Sequence, residues 1–166
     1  MTENNPPIYK VGVVLRRAGG EVLIIRPIPK NPGEPTKWVL PRGSRQYRDA
    51  GGIWHDARDA ATALAHADAL EPLRATLNRE AMEEAGVDLA SVPVTELGTR
   101  LFDSATKPPY PIHWFVARVD SVALATPKDA LETHWATLDA IRALGADFSV
   151  GYLPVIEEAL SVTMHA

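Results

Sequence analysis

Two short runs rich in β-branched residues open the chain, Tyr9 to Arg16 (YKVGVVLR) and Glu21 to Pro27 (EVLIIRP). Arg17-Ala-Gly-Gly20 between them carries a turn signal, so the pair predicts a β-hairpin. Ile28 to Thr36 holds three prolines and a glycine and reads as a loop. Lys37-Trp-Val-Leu40 predicts a third short strand, stopped by Pro41 and Gly43. From Ala57 the chain turns Ala-rich, with five Ala among the nine residues from Ala61 to Ala69, and is helix-prone. Glu71 to Ala85 predicts a strong helix, with Pro72 in its first turn and Gly86 at its C′ position. Thr95 to Phe102 and Ile112 to Val119 read as two more strands, with a Pro-rich loop over Ser104 to Pro111. His134 reads as a strand residue flanking Trp135. Leu138 to Leu144 and Leu153 to Met164 read as helices. The order β-β-β-(insert)-α-β-β-α-α predicts an α/β or α+β sandwich, a mixed sheet with helices packed on it.

Length changes this picture little. A chain of 166 residues suits one domain, taken here as 9–166 behind a frayed tail over 1–8. The absence of cysteine excludes a disulfide framework, a thiolate zinc site and a cysteine nucleophile. No apolar run reaches membrane-spanning length, and a cytoplasmic protein is the default expectation. The net charge of −4 argues against general nucleic-acid binding. It hides an asymmetry, because Met1 to Arg48 carries nine basic residues against three acidic ones.

The chemistry concentrates in Arg79-Glu-Ala-Met-Glu-Glu-Ala-Gly-Val87. At 100° per residue Glu80, Glu83 and Glu84 share a sector about 100° wide. Leu77, Ala81, Ala85 and Met82 occupy the opposite sector, as on an amphipathic helix with an acidic stripe. Glu80 and Glu84, at i and i+4, repel each other by a few tenths of a kcal/mol. A divalent cation removes that cost, and carboxylates are hard ligands suited to Mg²⁺ or Mn²⁺. A solvated acidic face is the plain alternative for any bare Glu-x-x-Glu-Glu.

The wider pattern weighs against that alternative. Glu71-x7-Arg79-Glu80-Ala81-Met82-Glu83-Glu84-Ala85-Gly86-Val87 resembles the Nudix box from its first Glu onward, with Ala81 small for an aliphatic position. Trp38-Val-Leu-Pro-Arg-Gly43 is similar to the Trp-x-Leu-Pro-Lys-Gly that precedes the box in many members. The box glycine, due at Ala65, is missing; Gly43 is its equivalent, displaced by an insertion of about 22 residues. The resemblance implies a Nudix-type α/β/α sandwich with a mixed sheet.

It also implies hydrolysis of a nucleoside diphosphate linked to another moiety, a small-molecule phosphoanhydride. Glu80, Glu83 and Glu84 would hold Mg²⁺ (or Mn²⁺), joined by the backbone at Gly43. Arg79 would pair with Glu71 or a ligand carboxylate and hold it in register, with Glu71 also in a supporting role. Glu132 sits where some members place an extra catalytic or metal-binding Glu, and Asp103 is the other candidate base. Arg42, Arg26, Lys37 and Arg45 suit phosphate contacts. Tyr47, Trp54 and Tyr110 are candidates for base stacking, whereas Trp38 and Trp114 read as strand core. Trp-x-Leu-Pro-Arg-Gly looks more like the polyphosphate-cleaving members, which puts dinucleoside polyphosphates and nucleoside triphosphates ahead of ADP-ribose-like sugars.

The insert, about 49–70, is read as a lid or wall that selects substrate, with a dimer contact as the rival role. Homodimers are common among proteins resembling this one. His55 and Asp59 inside it lie at i and i+4 and could bind a metal, but ordinary surface residues are the better reading. Two other functional readings stand beside the hydrolase. One is a Nudix-fold nucleotide sensor without turnover, weakened by the presence of all three helix glutamates. The other is a plain acidic interaction helix.

Overall fold

The computed structural model describes residues 7–103, 108–120 and 126–164. Most of the tail expected over 1–8 and half of the loop expected over 104–111 lie outside the described residues. Ile8, the last residue of that tail, packs against the core, and its carbonyl accepts from Arg45 Nη1 at 2.8 Å.

The hairpin forms as β1 (Lys10–Arg16) and β2 (Val22–Pro27). Both are almost wholly buried, as their apolar runs require. β1 pairs antiparallel with β2 and with β3 (Arg42–Ser44), and parallel with β7 (Tyr110–Arg118). β6 (Val94–Phe102) extends the sheet beyond β7, and β8 (Ala130–Ala136) closes the other edge on β2. The sheet is therefore mixed, in the order β6-β7-β1-β2-β8 with β3 alongside β1.

Alternation along β1 and β7 feeds two cores. Val11, Val13, Leu15 and Phe115 pack under α2 (Leu73–Ala85) through Leu77, Ala81 and Ala85. Val14, Ile112, Trp114 and Val116 face the other way. There they meet Ile141 of α3 (Leu138–Ala143) and Val155, Ile156 and Ala159 of α4 (Leu153–Ser161). The result is an α/β/α sandwich.

Three expectations change. Lys37–Leu40 makes no strand, only isolated bridges from Val39 to Ile25 and from Trp38 to Phe148. Pro41 has no N–H with which to continue a ladder, so regular pairing restarts at Arg42. Met82, expected on the apolar face of α2, is 38% exposed, while Glu80 is 8% exposed. The helix rolls so that its small face, Ala81 and Ala85, meets the sheet, and Glu80 turns inward with it. The insert begins as a hairpin, β4 (Gln46–Arg48) with β5 (Trp54–Asp56), before the short helix α1 (Ala60–Ala65). Among the described residues, no helix is long and apolar enough to cross a membrane.

Candidate active site

α2 starts behind Pro72 and ends at Gly86, whose φ of 68° is left-handed and closes the helix with its N–H on the Met82 carbonyl. Its acidic residues are held by arginines. Arg79 Nη2 donates to Glu71 Oε1 at 2.6 Å and to the Ser44 carbonyl at 2.8 Å. Arg79 Nη1 donates to Glu80 Oε1 at 2.8 Å and reaches Glu83 Oε2 at 3.4 Å. Burial opposes the Arg79 charge, but Glu71, Glu80 and Glu83 outweigh it and hold the pKa above the ordinary arginine value.

Glu71 is anchored a second time, accepting from the Gln46 N–H at 2.9 Å. Glu71 therefore fixes Arg79 from outside the acidic stripe, and Arg79 steers Glu80 and Glu83.

The loop before the insert docks directly on this stripe. The Arg42 N–H donates to Glu84 Oε2 at 2.9 Å, and Arg42 Nη1 lies 3.8 Å from Glu84 Oε1. Arg42 Nε donates to the Tyr152 hydroxyl at 2.8 Å. Gly43 lies so close to the Glu80 carboxyl group that a Cβ at this position would overlap it. Thus the insert leaves the loop glycine beside the helix despite the long separation in sequence.

Burial raises the Glu80 pKa to about 8, helped by the charges of Glu84 and Glu83 and opposed by Arg79. Burial also raises Glu84, against the pull of Arg42 and Lys10. Three hard oxygen donors, two of them buried carboxylates that resist ionising, suit a divalent cation. Among the described residues they are not drawn into a finished coordination shell, since each is turned to an arginine or an N–H.

A pH dependence follows with a definite sign. The folded pKa of Glu80 lies above the ordinary carboxylate value, so its stabilising contribution is complete at low pH and is lost as pH rises through about 8. Metal-free protein should lose stability from pH 5 to pH 8, by at most ~1.4 kcal/mol per pH unit. Mg²⁺, which needs the carboxylate ionised, should restore it most at the alkaline end. Calorimetry across that range with EDTA or Mg²⁺ reads this out; a flat metal-free profile would count against the raised Glu80.

The remaining candidates divide. Arg26 lies over the Trp38 ring, 5.2 Å from its centroid, and Nη1 is 3.8 Å from Glu132 on β8. Arg26 Nε is a buried donor without a partner among the described residues. Lys37 is exposed, and so is Asp103. Arg45, expected at phosphate, is a structural tie instead. Its Nε and Nη2 donate to the Glu71 carbonyl and its Nη1 to the Ile8 carbonyl. Tyr47, expected to stack on a base, stacks on His66 at 3.9 Å inside the insert. His55 pairs with Asp49 on the hairpin, and Asp59 caps α1 by accepting from the Thr62 N–H, so the two share no helix face.

Residues that spacing could not reveal also gather here. The N–H groups of Lys128 and Asp129 both donate to the Glu83 carbonyl, at 2.9 and 2.8 Å. This brings the Asp129 charge close enough to Glu84 to raise its pKa. Tyr152 comes from the far end of the chain, and its own pKa is pushed up to about 12, chiefly by burial. A mostly apolar cavity of about 560 Å³, walled by Ile8, Tyr9, Ala60, Thr99 and His113, includes none of the acidic stripe.

A family model described as NUDIX domain matches residues 6–156. Among curated proteins no sequence matches the chain. Several solved structures share its fold. A NUDIX hydrolase from Nitrosomonas europaea is 19% identical, covering 92% of this chain and 87% of that one, with a TM-score of 0.60. The NUDIX domain of Shewanella oneidensis NrtR, in complex with ADP ribose, is 17% identical over 93% and 87%, with a TM-score of 0.57. An Ap4A hydrolase from C. elegans is 20% identical over 92% and 96%, with a TM-score of 0.53.

Proposed function

The chain belongs to the NUDIX domain family, and from that premise we propose that it is a Nudix hydrolase: a Mg²⁺-dependent pyrophosphohydrolase, with Mn²⁺ as the alternative cation, acting on a nucleoside diphosphate linked to another moiety. One observation carries this reading. Gly43 and Arg42 pack on Glu80 and Glu84, so the two motifs separated by the insert meet at one place. Glu80, Glu83 and Glu84 are the residues that would hold the cation.

Hydrolysis adds water to one phosphorus and breaks the P–O–P bond, and the two products take up the oxygen and protons of that water. A bound divalent cation would neutralise phosphate charge and acidify a water. The protein supplies positioning. Arg79, locked by Glu71, holds Glu80 and Glu83 in place. Arg42 presents a guanidinium oriented by Tyr152 beside Glu84, ready for a phosphate oxygen. Asp129, tethered to the Glu83 carbonyl, accepts the proton of the attacking water. Glu132 is the weaker candidate, because its carboxylate is engaged by Arg26, whose Nη1 lies 3.8 Å from Oε1.

The test is release of phosphate or nucleotide from dinucleoside polyphosphates, nucleoside triphosphates and ADP-ribose, with Mg²⁺, Mn²⁺ or EDTA. Metal-dependent turnover is expected. Asp129→Asn should lower kcat by about a hundredfold or more, and Glu132→Gln by severalfold at most. The reverse order would return the base to Glu132. Saturable nucleotide binding without turnover would replace the enzyme by a sensor.

A further inference from the structure

The insert delivers a cation, Arg58, to a cavity that it shares with Lys10 at the start of β1. Tyr9, Lys10, Arg58, Pro108 and Tyr110 wall a space of about 270 Å³. Lys10 stands over the Tyr110 ring, 5.8 Å from its centroid. The cavity adjoins the site through Lys10, which pairs with Ser44 next to Gly43, where the Ser44 carbonyl accepts from Arg79 and Gly43 packs on Glu80.

Arg58 is placed there by its neighbours. Ala57 is fully buried with Tyr9 and Ala63, and its N–H donates to the Arg45 carbonyl at 2.8 Å. Asp59 caps α1, accepting from the Thr62 N–H at 2.7 Å. The backbone is therefore pinned on both sides of Arg58, and the adjacent carboxylate is already engaged. Among the described residues the Arg58 guanidinium has no hydrogen bond or ion pair, and it is exposed. A pinned arginine and a lysine on the wall of one cavity put two positive charges where an anionic group can be held, and the guanidinium fork suits phosphate oxygens.

We propose that Arg58 and Lys10 form a subsite for a phosphate beyond the diphosphate being cut, so that the preferred substrates carry at least three consecutive phosphates. This rests on the hydrolase reading above for which bond is cut, while the binding of the extra phosphate is a separate property of the cavity. The insert would then select by chain length, with Arg58 as the reader.

Calorimetric titration of the full chain in Mg²⁺ with imidodiphosphate and diimidotriphosphate, which resist cleavage, tests it. The wild type should bind the triphosphate analogue about tenfold more tightly than the diphosphate analogue. Arg58→Ala should remove that preference, leave diphosphate-analogue affinity unchanged and leave Tm unchanged. Arg58→Lys should restore part of it, since the charge returns without the fork. Equal affinities in the wild type, or a preference that survives Arg58→Ala, would overturn the subsite. A wild type that discriminates the analogues yet cleaves no phosphoanhydride would uphold the subsite and reject the hydrolase.

Discussion

Glu84→Gln is expected to lower kcat at least about a hundredfold while leaving Tm unchanged or slightly higher. The two halves come from one geometry. Glutamine keeps the shape of Glu84 and one carbonyl oxygen, so the contact with the Arg42 N–H survives. What disappears is the negative charge, which the folded protein holds at a cost because burial raises the Glu84 pKa and Asp129 adds to it. A charge that the metal-free fold disfavours belongs to function rather than to stability. Arg42 loses an ion-pair partner but keeps Tyr152, so the change in stability stays small. Steady-state kinetics over a Mg²⁺ titration, with calorimetry on the same samples, reads both. Wild-type kcat in the variant would remove Glu84 from the reaction and return α2 to a plain acidic face.

How far the sequence could carry this site depends on whether the contacts run along one element. Glu71, Arg79, Glu80, Glu83 and Glu84 lie on one helix or at its entrance, so helical periodicity and family spacing reach them together. The hairpin of β1 and β2 is equally local, because its turn and its apolar runs adjoin. Periodicity could not show the roll of α2. A wheel that ranks faces by hydrophobicity assigns Met82 inward and Glu80 outward. Which small face meets the sheet is decided by Val11, Val13 and Leu15 on another element. Asp129 and Tyr152 were out of reach for the same reason. The first arrives through backbone bonds to Glu83, and the second across 110 residues to Arg42. Arg45 suits phosphate by residue type, whereas its partners in the fold are backbone carbonyls that no spacing encodes. β8 was not delimited, because its exposed Leu131 and polar Glu132 and Thr133 mask the alternation of an edge strand.

The insert shows the same division from the other side. Its composition foretold a helix from Ala57 onward, and α1 forms there. The hairpin before it, Gln46–Arg48 with Trp54–Asp56, turns on Asp49, whose carboxylate accepts from the Gly51 and Ile53 N–H groups. That hairpin bridges Tyr47 to Leu70, and Gln46 carries bonds to and from Glu71. The insertion is thereby tied off at its base. Its two ends enter and leave at neighbouring points, so the loop glycine keeps its place beside α2.

The largest expected effect of a small substitution follows from that placement. Gly43→Ala should reduce kcat/KM by about a hundredfold or more and cost ~1–3 kcal/mol of stability. Gly43 pairs with Val11 in the sheet, so its backbone has no freedom to retreat. An added methyl would occupy the space of the Glu80 carboxyl group. That group is the end of a flexible chain, but it is 11% exposed and bound to Arg79, whose other nitrogen is held by Glu71 and the Ser44 carbonyl. Moving Glu80 therefore strains the whole Glu71–Arg79–Glu80 chain or breaks it. The effect on metal should exceed that on the fold, because a displaced Glu80 leaves the acidic stripe while the core residues Leu77 and Ala81 stay packed. Mg²⁺ affinity measured by calorimetry should fall at least about tenfold in step with kcat/KM. Gly43→Ala with unchanged Mg²⁺ affinity and unchanged activity would mean that Glu80 can leave this position at no cost, and with it the meeting of the two motifs would lose its functional meaning.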